Sequence, residues 1–572
     1  MNGARILIES LLCEGVDTVF AYTGGAVISI FDELHRTGDR LRLVMPRHEQ
    51  AGTHAADGYA RSTGKPGVVI VTSGPGATNT ITGIATAYMD SVPLVIITGQ
   101  VPLSKIGSDA FQEADILGIT MPITKANFLV RKASEIAGTV KKAFHLATTG
   151  RPGPVLIDLP GNVQREEAEF SYPASIELNG YRPTVDGHPK QIQTAVKLLS
   201  QSARPLIMAG GGVLRSGAGQ LVEELADSLG IPVVCTLMGH GVTPGREELR
   251  FGPIGMHGSL YGNYAIQKSD LILALGVRFS DRIIGNPEEF APGASIIHVD
   301  IDPAEIGKNV RADLPIVGSV TSVVQGLLKA EISIDTSAWL KELTHFRAQH
   351  PLDPAQLDDS GMISPQWLVS MAGRIFPDNT ILATDVGQNQ MWSAQFFGFP
   401  RGRTLLSSGG LGTMGFGLPA AIGAAVGTQS WGSNGTPPQG TPQRPVLMIS
   451  GDGGFQMNLQ ELATIRRYRL PVKMLVMDNA YLGMVRQWQE LLYDSRYSGT
   501  LMDDNPSFAA LAEVMGIPGR TIRHPDEVEA ALRELQACDG PMLVHAHVAG
   551  GANVLPMVPV GKALDQAVER IS

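Results

Sequence analysis

Short runs rich in Val, Ile and Leu recur along the chain, separated by stretches with helical spacing. Residues 68–72, 94–98 and 155–158 read as buried strands. So do 206–209, 271–275, 296–299, 381–384, 446–450, 473–477 and 542–545. The spacing predicts helices over 50–62 and 459–468, and an amphipathic helix at the start around Ile6, Leu7, Leu11 and Leu12. Continuous apolar strands alternating with helices define parallel sheets covered on both faces. The fold class that follows is α/β, with three doubly wound parallel-sheet domains.

Two stretches break the pattern. Residues 164–190 are acidic and Pro/Gly-bearing with no apolar period, and 331–360 turn from polar helix to loop. They divide the chain into units 1–165, 190–330 and 360–550, each of ordinary domain size. A Ser/Gly/Pro/Gln insert at 428–443 reads as an exposed loop without chemistry.

Composition narrows the function classes. Apolar residues make up 43% of 572 and charged residues 17%, which excludes a charge-driven disordered chain. The net charge is −10 with no basic block, so neither nucleic acid nor an anionic membrane is an expected partner. No apolar run is long enough to span a bilayer. No signal peptide is expected, because the N-terminus lacks a basic segment followed by an apolar core. Three widely spaced cysteines, Cys13, Cys235 and Cys538, fit reduced thiols in the cytoplasm better than disulfides or a zinc site.

The strongest chemical signal lies in the third unit. A strand ends in Gly451-Asp452-Gly453-Gly454, and Asn479 follows a second strand after residues 454–478. Gly453 and Gly454 let backbone N–H groups approach a phosphate at a helix start. Asp452 and Asn479 offer hard oxygen ligands from neighbouring strand ends, as Mg²⁺ prefers. This motif resembles that of the thiamine-diphosphate enzymes. The resemblance places the metal on Asp452, Asn479 and the Tyr481 carbonyl. It also shows a departure: Asp478 stands where the family's usual Asn-Asn pair has its first Asn. A charge so near a diphosphate should point away or be hydrogen-bonded.

Glu49 lies in the first unit within Arg47-His48-Glu49-Gln50. By itself an acid in a first helical turn is simply what the helix dipole favours. Beside a diphosphate motif it matches the family's activating glutamate, which hydrogen-bonds the aminopyrimidine of the coenzyme. His48 and His54 are left as packing or polar-contact residues. The resemblance implies thiamine-diphosphate contacts at Glu49, Val386, Gly387, Gln388, Asn389, Gly412, Met414, Gly451, Asp452, Gly453, Gly454, Asn479, Tyr481, Leu482, Gly483 and Met484. The first unit then serves as the pyrimidine domain and the third as the diphosphate domain. In the family these two come from different subunits, which implies a homodimer or a higher homo-oligomer.

The stretches SGPGATNTITGIATAYMDSVPLVIITGQVP, GMHGSLYGNYAIQKSDLILALGVRF, IIHVDIDPAEIGKN, GGLGTMGFGLPAA and LGMVRQWQ extend the likeness along nearly the whole chain. They resemble the large catalytic subunits of the acetohydroxyacid (acetolactate) synthases. The likeness implies a carboligase that decarboxylates pyruvate and joins the two-carbon unit to a second 2-keto acid, pyruvate or 2-ketobutyrate. That is the first common step of branched-chain amino-acid synthesis. It also implies a structural FAD on the middle unit, contacting Arg151, Gly210, Gly211, Gly212, Thr236, Leu237, Met256, His257, Gly276, Arg278, Arg282 and Asp300. The substrate pocket maps to Gly25, Phe111, Gln112, Arg282, Met484 and Trp488, and the catalytic set to Glu49, Gln112, Arg282 and Trp488. Arg282 would take a carboxylate, and Trp488 would favour 2-ketobutyrate. A small regulatory subunit is left open.

Departures from the family pattern occur at Thr23, Gly161, Ser280 and Asn389. The rival readings are another thiamine-diphosphate decarboxylase or carboligase, and a flavin-binding relative without turnover.

Overall fold

The computed structural model describes residues 1–242, 245–358, 360–400, 402–429 and 444–569. Residues 430–443 of the insert lie outside the described residues.

Among the described residues, eighteen strands form three six-stranded sheets. The first holds β1 (Thr18–Tyr22), β2 (Arg42–Val44), β3 (Gly67–Val71), β4 (Leu94–Gln100), β5 (Ala126–Leu129) and β6 (Val155–Pro160). The second holds β7 (Pro205–Ala209), β8 (Val233–Cys235), β9 (Arg250–Pro253), β10 (Leu271–Leu275), β11 (Ser295–Asp300) and β12 (Leu314–Val317). The third holds β13 (Ile381–Thr384), β14 (Thr404–Leu406), β15 (Val446–Gly451), β16 (Val472–Asp478), β17 (Gly519–Ile522) and β18 (Met542–His547). Every pairing in these sheets is parallel. Strands β3, β4, β10 and β16 are buried along their whole length, which is why they read as unbroken apolar runs.

The first sheet runs β2-β1-β3-β4-β6-β5 and the third runs β14-β13-β15-β16-β18-β17. These are the same topology. The middle sheet runs β9-β8-β7-β10-β11-β12, the doubly wound order of dinucleotide-binding folds. Its core extends beyond residue 330. Trp339, on the helix Ser337–Gln349, is buried there and donates from Nε1 to the Pro205 carbonyl. Val558 and Leu564, past β18, join the same core.

The first and third units share one hydrophobic core. At its centre the helices Glu49–Thr63 and Gly417–Thr428 lie backbone to backbone. A Cβ on Gly58 would collide with the Ala420 carbonyl, and one on Gly423 with the Ala55 carbonyl. Only glycine permits that approach.

Candidate active site

The third sheet reverses its winding between β13 and β15, and a cleft opens beyond their carboxyl ends and that of β16. Three helices start there: Gln388–Phe396, Asp452–Gln456 and Gly483–Leu492. Their N-caps are Gly387, Gly451 and Leu482, and none has a side-chain cap. Three sets of first-turn N–H groups are thus left to whatever occupies the cleft, which suits a polyanion.

Glycine makes this convergence fit. A Cβ on Gly453 would come within 2.8 Å of the Leu482 side chain. One on Gly454 would overlap the Asp385 carboxylate, and one on Gly483 would overlap Gln388 Oε1. Gly387 holds a φ of 128°, which a side chain would disfavour.

The oxygen ligands are buried. Asn505 Nδ2 donates to Asp452 Oδ2 at 2.7 Å and to Asp478 Oδ1 at 2.9 Å. Burial first, and then the Asp478 carboxylate, push the Asp452 carboxyl upward. A divalent cation would relieve both effects, so the donor set fits Mg²⁺. Asn479 Nδ2 donates to Gln388 Oε1 at 3.2 Å, while its Oδ1 accepts from the Tyr481 amide at 3.1 Å. Asp478 is hydrogen-bonded, as its charge requires. Burial raises it, but bonds from His545, Asn505 and the Ala480 amide outweigh that and hold it low.

The cleft brings together Val386, Gly387, Gln388, Asn389, Met414, Gly451 to Gly454, Asn479, Tyr481, Leu482, Gly483 and Met484. Trp392, Met477, Val485 and Val548 also line it and were not expected. They sit in ordinary apolar patterns, so only position singles them out. Gly412 lies in the loop before Met414 and does not line the cleft. Asp385 was missed as well. Its buried carboxylate accepts from the amides of Val386, Gly415 and Gly417, tying the Met414 loop to the end of β13.

No residue of the first unit lines the cleft among the described residues. Glu49 starts its helix beside the SGPG turn. Its Oε2 accepts from Asn79 Nδ2 at 2.9 Å, and its Oε1 lies 3.5 Å from where a Cβ on Gly76 would stand. Gln112 packs on Gly74 of the same turn with a φ of 60°, and Phe111 beside it is 89% exposed. Gly25 opens a short helical turn above β1. His48 caps the Glu49 helix through Nδ1, accepting from the Gln50 amide at 3.2 Å. His54 is buried edge-on to Phe416, and burial, helped by Arg61, pushes its imidazole down to about 3.

A third group joins the middle and third units. The Arg282 guanidinium lies 6.0 Å from the Trp488 ring, and its Nη1 is 3.4 Å from Met256 Sδ. His257 beside them is pushed down to about 4 by burial and then by Arg282. At the carboxyl ends of the middle sheet, Gly210 and Gly212 pack against the Gly276 backbone with no room for side chains. Thr236 and Leu237 follow β8. Burial pushes Asp300, at the end of β11, up to about 6. Arg151 pairs with Asp302 and Glu305, and Arg278 donates to the Met89 carbonyl.

Sequence comparison agrees with this architecture. Residues 1–119, 192–327 and 385–546 match the N-terminal TPP-binding, central and C-terminal TPP-binding domain models of the thiamine pyrophosphate enzymes. The class is therefore a three-domain thiamine pyrophosphate enzyme. The chain is 48% identical to a protein of Methanocaldococcus jannaschii named probable acetolactate synthase large subunit, over 100% of this chain and 96% of that one. It is 44% identical to the acetolactate synthase large subunit of Haemophilus influenzae, over 99% and 98%. It is 42% identical to the acetolactate synthase isozyme 3 large subunit of Escherichia coli, over 99% and 98%. The chain belongs to the acetolactate synthase large-subunit family.

Proposed function

We propose that the protein is an acetolactate synthase. It would decarboxylate pyruvate and transfer the two-carbon unit to a second 2-keto acid, giving acetolactate from pyruvate or acetohydroxybutyrate from 2-ketobutyrate. The observation that carries this reading is the cleft in which three uncapped helix starts surround Asp452 and Asn479, in a chain of this family.

Thiamine diphosphate, when bound, supplies the electron sink for carbon–carbon cleavage and formation. The backbone N–H groups after Gly387, Gly451 and Leu482 would hold its diphosphate. Asp452, Asn479 and the Tyr481 carbonyl would hold Mg²⁺. Met414 and Met484 supply apolar wall. Glu49 would hold a proton against a pyrimidine ring nitrogen. Among the described residues the cleft has no wall from its own first unit, so we assign Glu49, Gly25, Phe111 and Gln112 to the cleft of a second copy, making the homodimer the smallest competent unit. Arg282, stacked near Trp488, offers a guanidinium to the acceptor's carboxylate.

The dinucleotide-type strand order and the Gly210–Gly212 turn support FAD on the middle unit. Relatives named large subunits support a small partner subunit. No helix among the described residues is long and apolar enough to cross a membrane. With three free cysteines this supports action in the cytoplasm.

The test is product analysis from pyruvate, alone and with 2-ketobutyrate, with and without FAD. Acetolactate and acetohydroxybutyrate are expected. Acetaldehyde without either would favour a simple decarboxylase and overturn the reading.

A further inference from the structure

We propose that Asp478, His545 and His547 form a binding site for a transition-metal cation of the Zn²⁺ or Co²⁺ type, distinct from the oxygen site of Asp452 and Asn479. The juxtaposition comes from the sheet. Strands β16 and β18 are parallel neighbours, with Asp478 opposite His547 and Val476 opposite His545. Residues two apart on a strand share a face, so both imidazoles stand on the side that Asp478 faces. One ligand atom from each of the three residues lies within 4.8 Å of the other two.

The carboxylate is oriented for this. Asp478 Oδ1 is occupied by Asn505 Nδ2 at 2.9 Å and the Ala480 amide at 3.0 Å. Oδ2 is left to the imidazoles, 2.9 Å from His545 Nε2 and 3.7 Å from His547 Nδ1. The first distance is a hydrogen bond and the second is too long for one. The two rings stand 4.4 Å apart. A shared proton therefore serves only one imidazole. A cation held by Oδ2, Nε2 and Nδ1 would serve all three. His545 Nδ1 and His547 Nε2 are buried without a hydrogen-bond partner among the described residues, which leaves both rings free to choose the tautomer that presents a lone pair to the cation.

Ligand chemistry sets the class. Two imidazoles and one carboxylate suit Zn²⁺, Co²⁺ or Ni²⁺, whereas Mg²⁺ prefers oxygen. Three protein ligands leave a coordination position open, and His547, half-buried, marks the route from solvent. A cation here would also offset the like charges of Asp452 and Asp478, which share the single donor group of Asn505. The site does not depend on the synthase reading, because it needs neither coenzyme nor turnover.

The full chain, stripped with chelator and held in excess Mg²⁺ without thiamine diphosphate, is titrated with Co²⁺. One Co²⁺ per chain with the visible absorption of four- or five-coordinate cobalt is expected, displaced by Zn²⁺ and insensitive to further Mg²⁺. His547→Ala and Asp478→Asn should each weaken Co²⁺ binding about a hundredfold or more. X-ray absorption on the Co²⁺-loaded wild-type chain should count two imidazole nitrogens, a measurement that stands if a variant fails to fold. Absence of the visible bands, fewer than two imidazoles, or wild-type Co²⁺ affinity in either folded variant would overturn the proposal.

Discussion

The carboxylate of Asp90 holds the backbone of Gly410 across the boundary between the first and third units. Its Oδ1 accepts from the Gly410 amide at 2.8 Å, and its Oδ2 accepts from the Gly409 amide at 3.0 Å. Arg61, buried with it, bonds Asp90 Oδ2 at 3.0 Å and the Ser407 carbonyl at 2.9 Å. Thr86 Oγ1 and Thr413 Oγ1 add a contact at 2.8 Å. This side of the first unit therefore fixes the loop that delivers Met414 to the cleft.

Asp90→Ala should release that loop and leave the Arg61 charge partly unpaired. Breaking a buried pair from one side costs about 3–5 kcal/mol. We expect a lowered melting temperature and at least tenfold weaker thiamine-diphosphate binding by calorimetry. Unchanged coenzyme affinity in the folded variant would refute the positioning role.

Gly423→Ala tests the helix contact. The added methyl group would collide with the Ala55 carbonyl and the Tyr59 backbone nitrogen, so the two helices must part. A destabilisation of about 3 kcal/mol is expected, read as a lower melting temperature. The half-buried Gly540, whose added Cβ would meet nothing within 4 Å, serves as the tolerant control.

Glu49→Gln keeps the shape of the side chain and, through its carbonyl, the bond from Asn79, but it cannot exchange a proton. Turnover should fall about 10²- to 10⁴-fold, with thiamine diphosphate still bound. Wild-type turnover would contradict the assigned role.

Asp158 gives a pH prediction. Burial pushes its carboxyl up to about 6, against the lowering effect of hydrogen bonds from Thr98 at 2.7 Å and Gln100 at 3.0 Å. Because the folded value is raised, the stabilisation is fully present below the ordinary carboxyl value. It is lost as pH rises through about 6. Asp158→Asn removes this titration. The variant should gain on the order of 3 kcal/mol over wild type between acid and neutral pH. The gap in melting temperature should widen from pH 4.5 to about 7 and stay flat above. A gap that does not change with pH would exclude this carboxyl.

Trp488→Leu shortens the wall beside Arg282. If that wall selects the acceptor, competition between pyruvate and 2-ketobutyrate should shift about tenfold toward acetolactate. An unchanged product ratio would remove Trp488 from the pocket.

The ten strands legible as apolar runs are central or near-central in their sheets, where both faces are covered. The edge strands β2, β5, β9, β12, β14 and β17 left weaker patterns. Gly519–Ile522, for example, is largely half-buried and begins Gly-Arg-Thr. Strand β1, TVFAY, is buried but short and reads ambiguously beside the helix that precedes it. The stretch 331–360 illustrates the same limit: its helix reads as a polar connection, yet Trp339 and Leu343 anchor it in the middle core.

The amino-acid sequence determined the α/β class, the Gly-rich strand ends and the Asp452–Asn479 motif, because backbone geometry and metal chemistry restrict which residues can stand there. It could not reveal that the first and third sheets share one topology, or that Asn505, Asp385 and Asp90 position the site. Those residues are ordinary loop and helix-end polar groups, and their roles arise only from distant segments meeting in space. The tertiary structure alone decided that Asp478 faces two imidazoles, because strand register places His547 beside it.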